Sequence, residues 1–260
     1  MKIAVDIDGT LCWANLPVFL NECNTLFDLK IDRETLAKIE SKQEFYALPE
    51  VQSVRKQNEY IERELAWIQF REKCLLTVLL VDDAVEGVAK LAQLGQLAYY
   101  TARHSRLLDV QIEIERATKQ WLKQHHFIND TKVVFCNEIR GKVRKMVKLA
   151  KSDWVLLIDD NYQSIIEEIN QLPCTDYKLL CEKLTLVAIH AETGDLPLTD
   201  LNVVALPYWD EIEAIIGRIP DYAKTTTSTK ASKYRTSTKT STISQDPIST
   251  RTTEDGAAIA

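Results

Sequence analysis

The stretch Lys2-Ile3-Ala4-Val5-Asp6-Ile7-Asp8-Gly9-Thr10-Leu11 decides how this chain reads. Its first half is a short apolar run in which no polar residue alternates with Ile3, Ala4 and Val5, the pattern of a strand buried on both faces. The run ends in two acids one residue apart, followed by a glycine that permits the backbone angles of a tight turn. Ligands bind at the carboxyl edge of strands in open α/β sheets, so the order of residues delivers Asp6 and Asp8 to that edge. Two carboxylates this close repel each other, and a cation between them makes the arrangement tolerable.

Other segments repeat the theme. Val155-Leu156-Leu157-Ile158-Asp159-Asp160-Asn161 is a second buried run ending in adjacent acids. Hard divalent cations such as Mg²⁺ require oxygen ligands, and carboxylates from two strand ends plus a backbone carbonyl supply half an octahedron. Leu97-Ala98-Tyr99-Tyr100-Thr101-Ala102-Arg103 places a hydroxyl at a strand end, where it and the following N–H groups can meet a phosphate oxygen. A lysine early in a helix, either Lys142 after Gly141 or Lys145 one turn later, can neutralise a phosphoryl group. The helix start after Gly141 suits Lys142, and both positions stay open.

The alternation of apolar runs with helical patterns predicts an α/β fold with a mainly parallel, Rossmann-like sheet. Strands are expected at Lys2–Val5, Leu97–Tyr100, Lys132–Cys136, Trp154–Ile158 and Thr185–His190, with shorter candidates at Lys178–Cys181 and Asn202–Ala205. Helices are expected over Asp83–Leu94, Leu107–His125, Ile139–Lys151, Tyr162–Gln171 and Trp209–Ile216. Residues 10–86 contain no glycine, and apolar residues recur there at helical spacing through Leu16–Phe27, Leu36–Phe45 and Val51–Leu80. A crossover between parallel strands needs only about a dozen residues. Residues 13–82 therefore read as a small helical cap inserted into a core made of residues 1–12 and 83–223.

Composition sets outer bounds. The 260 residues are 45% hydrophobic and 27% charged, which suits a globular chain with a full-sized core. A net charge of -6 and a pI near 5.4 argue against a duplex nucleic-acid coat, which needs a basic surface. The six cysteines form no CxxC and read as reduced thiols. No apolar run reaches the roughly 20 residues of a membrane span, and an acid at position 6 comes too early for a secretory signal, so the expected location is cytoplasmic. In residues 224–260, Ser and Thr fill 17 of 37 positions, which predicts a disordered tail, either a solvated extension or a docking segment.

Taken in order, Asp6-x-Asp8-Gly9-Thr10, Thr101, Lys142 or Lys145, and Asp159-Asp160 resemble the four motifs of the haloacid dehalogenase superfamily. Tyr100-Thr101-Ala102-Arg103, Thr118-Lys119-Gln120-Trp121-Leu122, Ile158-Asp159-Asp160 and Trp209-Asp210-Glu211-Ile212 are further similar to the 5'(3')-deoxyribonucleotidases and their bacterial relatives. The resemblance implies a phosphomonoesterase in which Asp6 is the nucleophile and forms an aspartyl-phosphate, and Asp8 is the acid and base. It implies Mg²⁺ on Asp6, the Asp8 carbonyl and one or both of Asp159 and Asp160. Thr101 and the lysine would hold the transferred group, the spacing to Asp159-Asp160 in the nucleotidase-like relatives matching Lys145 rather than Lys142, with Thr10, Ala102, Arg103 and His104 near the substrate. An acid at the Asp8 position goes with phosphoester hydrolysis rather than dehalogenation in that superfamily. The expected substrate is a small phosphorylated metabolite, a nucleotide first. A sugar phosphate, a nucleic-acid 3' end, or ligand binding without turnover are the alternatives. The sequence sets no oligomeric state. Aromatic residues of the insertion (Trp13, Phe19, Phe45, Tyr46, Tyr60, Trp67 and Phe70) offer stacking surfaces, although most such residues in a small helical unit form its core.

Overall fold

A computed structural model describes residues 1–57 and 60–218. The expected tail, 224–260, lies outside them. The chain opens with β1 (Lys2–Val5), followed by the turn carrying Asp6 and Asp8 and the short β2 (Cys12–Trp13). Six helices come next: α1 (Leu16–Leu26), α2 (Arg33–Ala37), α3 (Lys42–Ala47), α4 (Pro49–Gln57), α5 (Ile61–Ile68) and α6 (Glu72–Leu76). The path returns through β3 (Leu79–Leu80), α7 (Ala84–Ala92) and β4 (Gln96–Thr101). It continues with α8 (Leu108–Gln124), β5 (Val133–Phe135), α9 (Ile139–Ala150), β6 (Val155–Asp159), α10 (Tyr162–Asn170), α11 (Cys174–Lys183), β7 (Leu184–Ile189), β8 (Asn202–Leu206) and α12 (Ile212–Arg218).

Six strands form one parallel sheet in the order β5-β4-β1-β6-β7-β8. The chain builds outward from β1 on one side through β4 and β5, then crosses back to place β6 against the other side of β1. β1 is therefore the point where winding reverses, and a crevice opens beyond its carboxyl end between the flanking connections. Asp6 and Asp8 follow β1, Thr101 ends β4 and Asp159 ends β6, so topology alone gathers them.

The strands carry apolar residues on both faces because helices cover both. Ile3, Val5, Leu97, Tyr99 and Ile158 pack with Val88, Leu91, Trp121 and Ile212. Ala4, Leu157, Leu186 and Ala188 meet Val143, Met146, Ile165 and Leu180 on the opposite side. The inserted helices bury a cluster of their own, including Phe19, Leu20, Cys23, Leu36, Phe45 and Leu65. Leu75 of α6 packs against Ile114 and Ala117 of α8 and joins that region to the sheet layer.

Three expectations need correction. Lys178–Cys181 is not a strand but the interior of α11, which starts after Pro173 with Asp176 in its first turn. A four-residue apolar run does not distinguish strand from helix by periodicity. The helical pattern expected to run to Leu80 stops earlier, since Leu79 and Leu80 pair antiparallel with Trp13 and Cys12 in a two-stranded ribbon at the base of the inserted helices. Leu36–Phe45 is two short helices, the second capped by the Ser41 side chain on the Glu44 N–H.

Candidate active site

Asp6 is buried at the end of β1, and its Oδ1 lies 2.8 Å from Lys142 Nζ. The same ammonium donates to Asp159 Oδ2 at 2.6 Å. Lys142 comes from the first turns of α9 and is 3% exposed, so one cation stands between two buried carboxylates. Carboxylate oxygens of Asp6, Asp159 and Asp160 all lie within 4.8 Å of one another. This is an all-oxygen donor set suited to a hard divalent cation, and the Asp8 backbone carbonyl lies in the same turn. Burial first, then the charges of Asp159 and Asp8, push the Asp6 carboxyl well above its ordinary value despite Lys142. Asp160 is pushed up to about 6, by burial and then by Asp159. Carboxylates so destabilised call for more positive charge than one ammonium supplies.

Asp8 sits in a different environment. Its side chain is 51% exposed, whereas its partner Arg103 is fully buried. Arg103 Nη2 donates to Asp8 Oδ1 at 2.7 Å and Nε to Oδ2 at 2.8 Å, a two-pronged grip. The far nitrogen, Nη1, donates to Thr118 Oγ1 on α8 at 3.0 Å, and Nη2 also contacts Cys12 Sγ at 3.4 Å. Loss of water around Asp8 would raise its pKa, but the Arg103 charge and hydrogen bonds outweigh it and hold the carboxyl below the ordinary carboxylate value.

The remaining expected residues divide into those that meet and those that do not. Thr101 is buried, its Oγ1 3.4 Å from Asp8 Oδ2 and accepting from the Arg103 N–H at 3.2 Å. A cavity of ≈ 290 Å³ is lined by Asp6, Asp8, Gly9, Ala102, Ile139, Lys142, Asp159, Asp160 and Asn161. Ala102 is thus at the site. His104 is half-buried and does not line that cavity.

One open alternative closes, and two placements differ from expectation. Lys142 faces the acids, whereas Lys145 is exposed on the same helix, because the turn beginning after Cys136 aims the first turn of α9, not the second, at the strand ends. Arg103 is turned inward onto Asp8 rather than toward the cavity. Thr10 is wholly buried: its hydroxyl donates to Asp160 Oδ1 at 3.3 Å and accepts from the Asp160 N–H at 3.2 Å, fixing an acid instead of meeting substrate. Gly9 has φ +74, and a Cβ there would fall 2.1 Å from Asp160 Oδ2, so both conformation and space demand glycine. Trp209 steadies the same turn by donating its indole N–H to the Thr10 carbonyl at 2.9 Å.

Sequence reading passed over Lys42. Its ammonium is half-buried on α3, 4.8 Å above the Phe19 ring, and donates to Gln69 at 2.9 Å. Desolvation lowers its pKa, and Asp8 is among the negative charges that reach it. Only a carboxylate across the boundary between the inserted helices and the sheet reveals that relation. Of the aromatic residues of the insertion, Phe19 and Phe45 are core, while Trp13 is 45% exposed. The Trp13 ring lies 4.8 Å from that of His190, tilted by 40°.

No model of a known protein family matches the chain, and no curated protein matches it. The solved structures to which it is similar include hydrolases of the haloacid dehalogenase type. One is a haloacid dehalogenase-like hydrolase from Burkholderia xenovorans, with 12% identity and a TM-score of 0.47 over 83% of this chain and 96% of that one. Another is a haloacid dehalogenase-like hydrolase from Xanthomonas campestris, with 14% identity and a TM-score of 0.46 over 86% and 97%. A third, from Deinococcus radiodurans and solved with bound phosphate and sodium, has 12% identity and a TM-score of 0.41 over 83% and 94%. At these scores the side chains themselves must decide what the site does. Among the described residues, no helix is long and apolar enough to cross a membrane.

Proposed function

We propose that this chain is a Mg²⁺-dependent phosphomonoesterase that works through an aspartyl-phosphate on Asp6. One observation carries the reading: Asp6, Asp159 and Asp160 converge with Lys142 at the winding reversal of the sheet, with the half-exposed Asp8 beside them. Asp6, Asp159, Asp160 and the Asp8 carbonyl would hold the cation, which supplies charge compensation for an anionic nucleophile facing an anionic ester. A carboxylate oxygen of Asp6 attacks phosphorus as the bond to the leaving oxygen breaks, and protonated Asp8 gives that oxygen the proton with which it departs as an alcohol. Water then attacks the phosphoenzyme, the bond from phosphorus to Asp6 breaks, and Asp8 takes the proton. Lys142 and Thr101 hold the charge that spreads over the phosphoryl oxygens.

Arg103 favours ionised Asp8, the form that accepts a proton from water. The same contact opposes proton delivery to the leaving group, so esters with weakly basic leaving groups should react fastest. The inserted helices, residues 13–82, act as a cap that covers the strand ends and selects the leaving group. Trp13, half-exposed and beside the acid turn, offers a planar surface on which a base can stack, which favours a nucleoside monophosphate over an alkyl ester that lacks a ring.

Hydrolysis of p-nitrophenyl phosphate and of a nucleoside monophosphate panel, with Mg²⁺ and with chelator, tests the reading. Turnover is expected to need the metal and to fall at least roughly 10³-fold in Asp6→Asn. Undiminished turnover in that variant overturns the proposal, and a flat response across the panel removes the nucleotide preference alone.

A further inference from the structure

Arg103 is the one fully buried arginine among the described residues, and all of its side-chain nitrogens are engaged. An arginine gives a rigid planar fork, and this fork is fixed at its far end by Thr118 of α8 and presented at its near end to both oxygens of Asp8. Asp8 is otherwise open: half of its side chain is exposed, and it directly precedes Gly9, whose φ is positive. No other group among the described residues grips it as closely, since Thr101 stands at 3.4 Å and the Cys12 thiol at 3.9 Å. An exposed carboxylate on a glycine turn has several accessible rotamers, and the fork selects one.

We infer that Arg103, braced by Thr118, is a positioning residue that aims the Asp8 carboxylate at the water attacking the phosphoenzyme. Arg103 does not touch substrate. The inference rests on the reading of Asp8 as the base in the second half of the reaction. In that half a bond forms between the water oxygen and phosphorus, the bond from phosphorus to the Asp6 oxygen breaks, and the water proton passes to Asp8. Inorganic phosphate leaves and the Asp6 carboxylate is regenerated, so no further reactant is needed.

The test is rapid-mixing hydrolysis of p-nitrophenyl phosphate with Mg²⁺ by wild type, Asp8→Asn, Arg103→Lys and the double variant. The leaving group departs without help, so the first half appears as a burst and the second as the steady rate. Arg103→Lys is expected to keep a burst of one equivalent and an unchanged KM for phosphorylation while slowing the steady rate roughly 10- to 100-fold. In the Asp8→Asn background the same replacement should change the steady rate less than twofold. An equal penalty in both backgrounds, a smaller burst, or a raised KM overturns the positioning role. If Arg103→Lys does not fold, Thr118→Val removes only the brace. A steady-rate loss that vanishes beside Asp8→Asn then supports the inference, and its absence overturns it. Wild-type steady turnover in Asp8→Asn would instead defeat the reading of the reaction itself, so the two failures are distinct.

Discussion

Two cation–carboxylate groups stand two residues apart in the chain and behave in opposite ways. Around Asp6, a single buried ammonium serves two buried acids, and the carboxyl pKa rises. Around Asp8, a whole guanidinium serves one half-exposed acid, and the pKa falls. The difference shows that Asp-x-Asp spacing does not set the chemistry of either acid. What sets it is the ratio of positive to negative charge and the access of water, which one turn changes completely. On the proposed reading the undercharged group takes the cation, while the saturated one keeps its carboxylate ionised.

The largest expected effect breaks the undercharged group. Lys142→Met strands Asp6 and Asp159 without their shared partner and should cost about 3–5 kcal/mol in urea unfolding of the metal-free protein. Asp159→Asn added to it should restore a good part of the loss. Arg103→Met should cost less, because Asp8 can turn to water. If the order of the two losses is reversed, burial is not what separates the groups.

The pH dependence sharpens the contrast. The folded chain holds the Asp160 proton up to about pH 6, against an ordinary value of 3.8, so this contribution to stability is complete below the ordinary value and is lost as pH rises through about 6. After allowance for its partial exposure, the loss is on the order of 1 kcal/mol. A divalent cation favours the ionised form, so Mg²⁺ should raise the melting temperature more at pH 7.5 than at pH 5. An increment independent of pH would remove Asp160 from the ligand set.

How much of this the sequence shows depends on how local the cause is. The buried runs before Asp6 and Asp159 are legible because a strand covered on both faces leaves a continuous apolar signature. The convergence of Thr101 with them follows from the parallel topology. The ribbon of Cys12–Trp13 with Leu79–Leu80 is not legible, since two-residue strands have no period. Lys142 and Lys145 share one helix and differ only in which turn meets the strand ends, a quantity fixed by the loop after β5. The inward turn of Arg103 and the burial of Thr10 depend on partners 95 and 150 residues away, so no local pattern announces either.

Thr10→Val probes an uncharged support of the crowded group. It leaves the Asp160 N–H and carboxylate without the hydroxyl that serves both, and a loss of about 1–2 kcal/mol in thermal unfolding is expected. Mg²⁺ affinity should weaken with it. A loss without any change in metal affinity would make Thr10 a core residue only.

The smallest effect is expected at Lys42, where the two groups meet the inserted helices. The ammonium lies in the field of Asp8 but forms no ion pair with it, and its stem packs on Phe19. Lys42→Met keeps the packing and removes the charge, so the melting temperature should hardly move. If the helices act as a cap, an incoming phosphoester dianion passes this charge, and its removal should raise KM by about twofold to threefold with kcat unchanged. The rise should shrink as salt is added, because interactions across solvent are screened over roughly 10 Å at 0.1 M. An unchanged KM at low salt would mean that Lys42 serves Gln69 and the Phe19 ring alone, and that the inserted helices bring no charge to the acids beneath them.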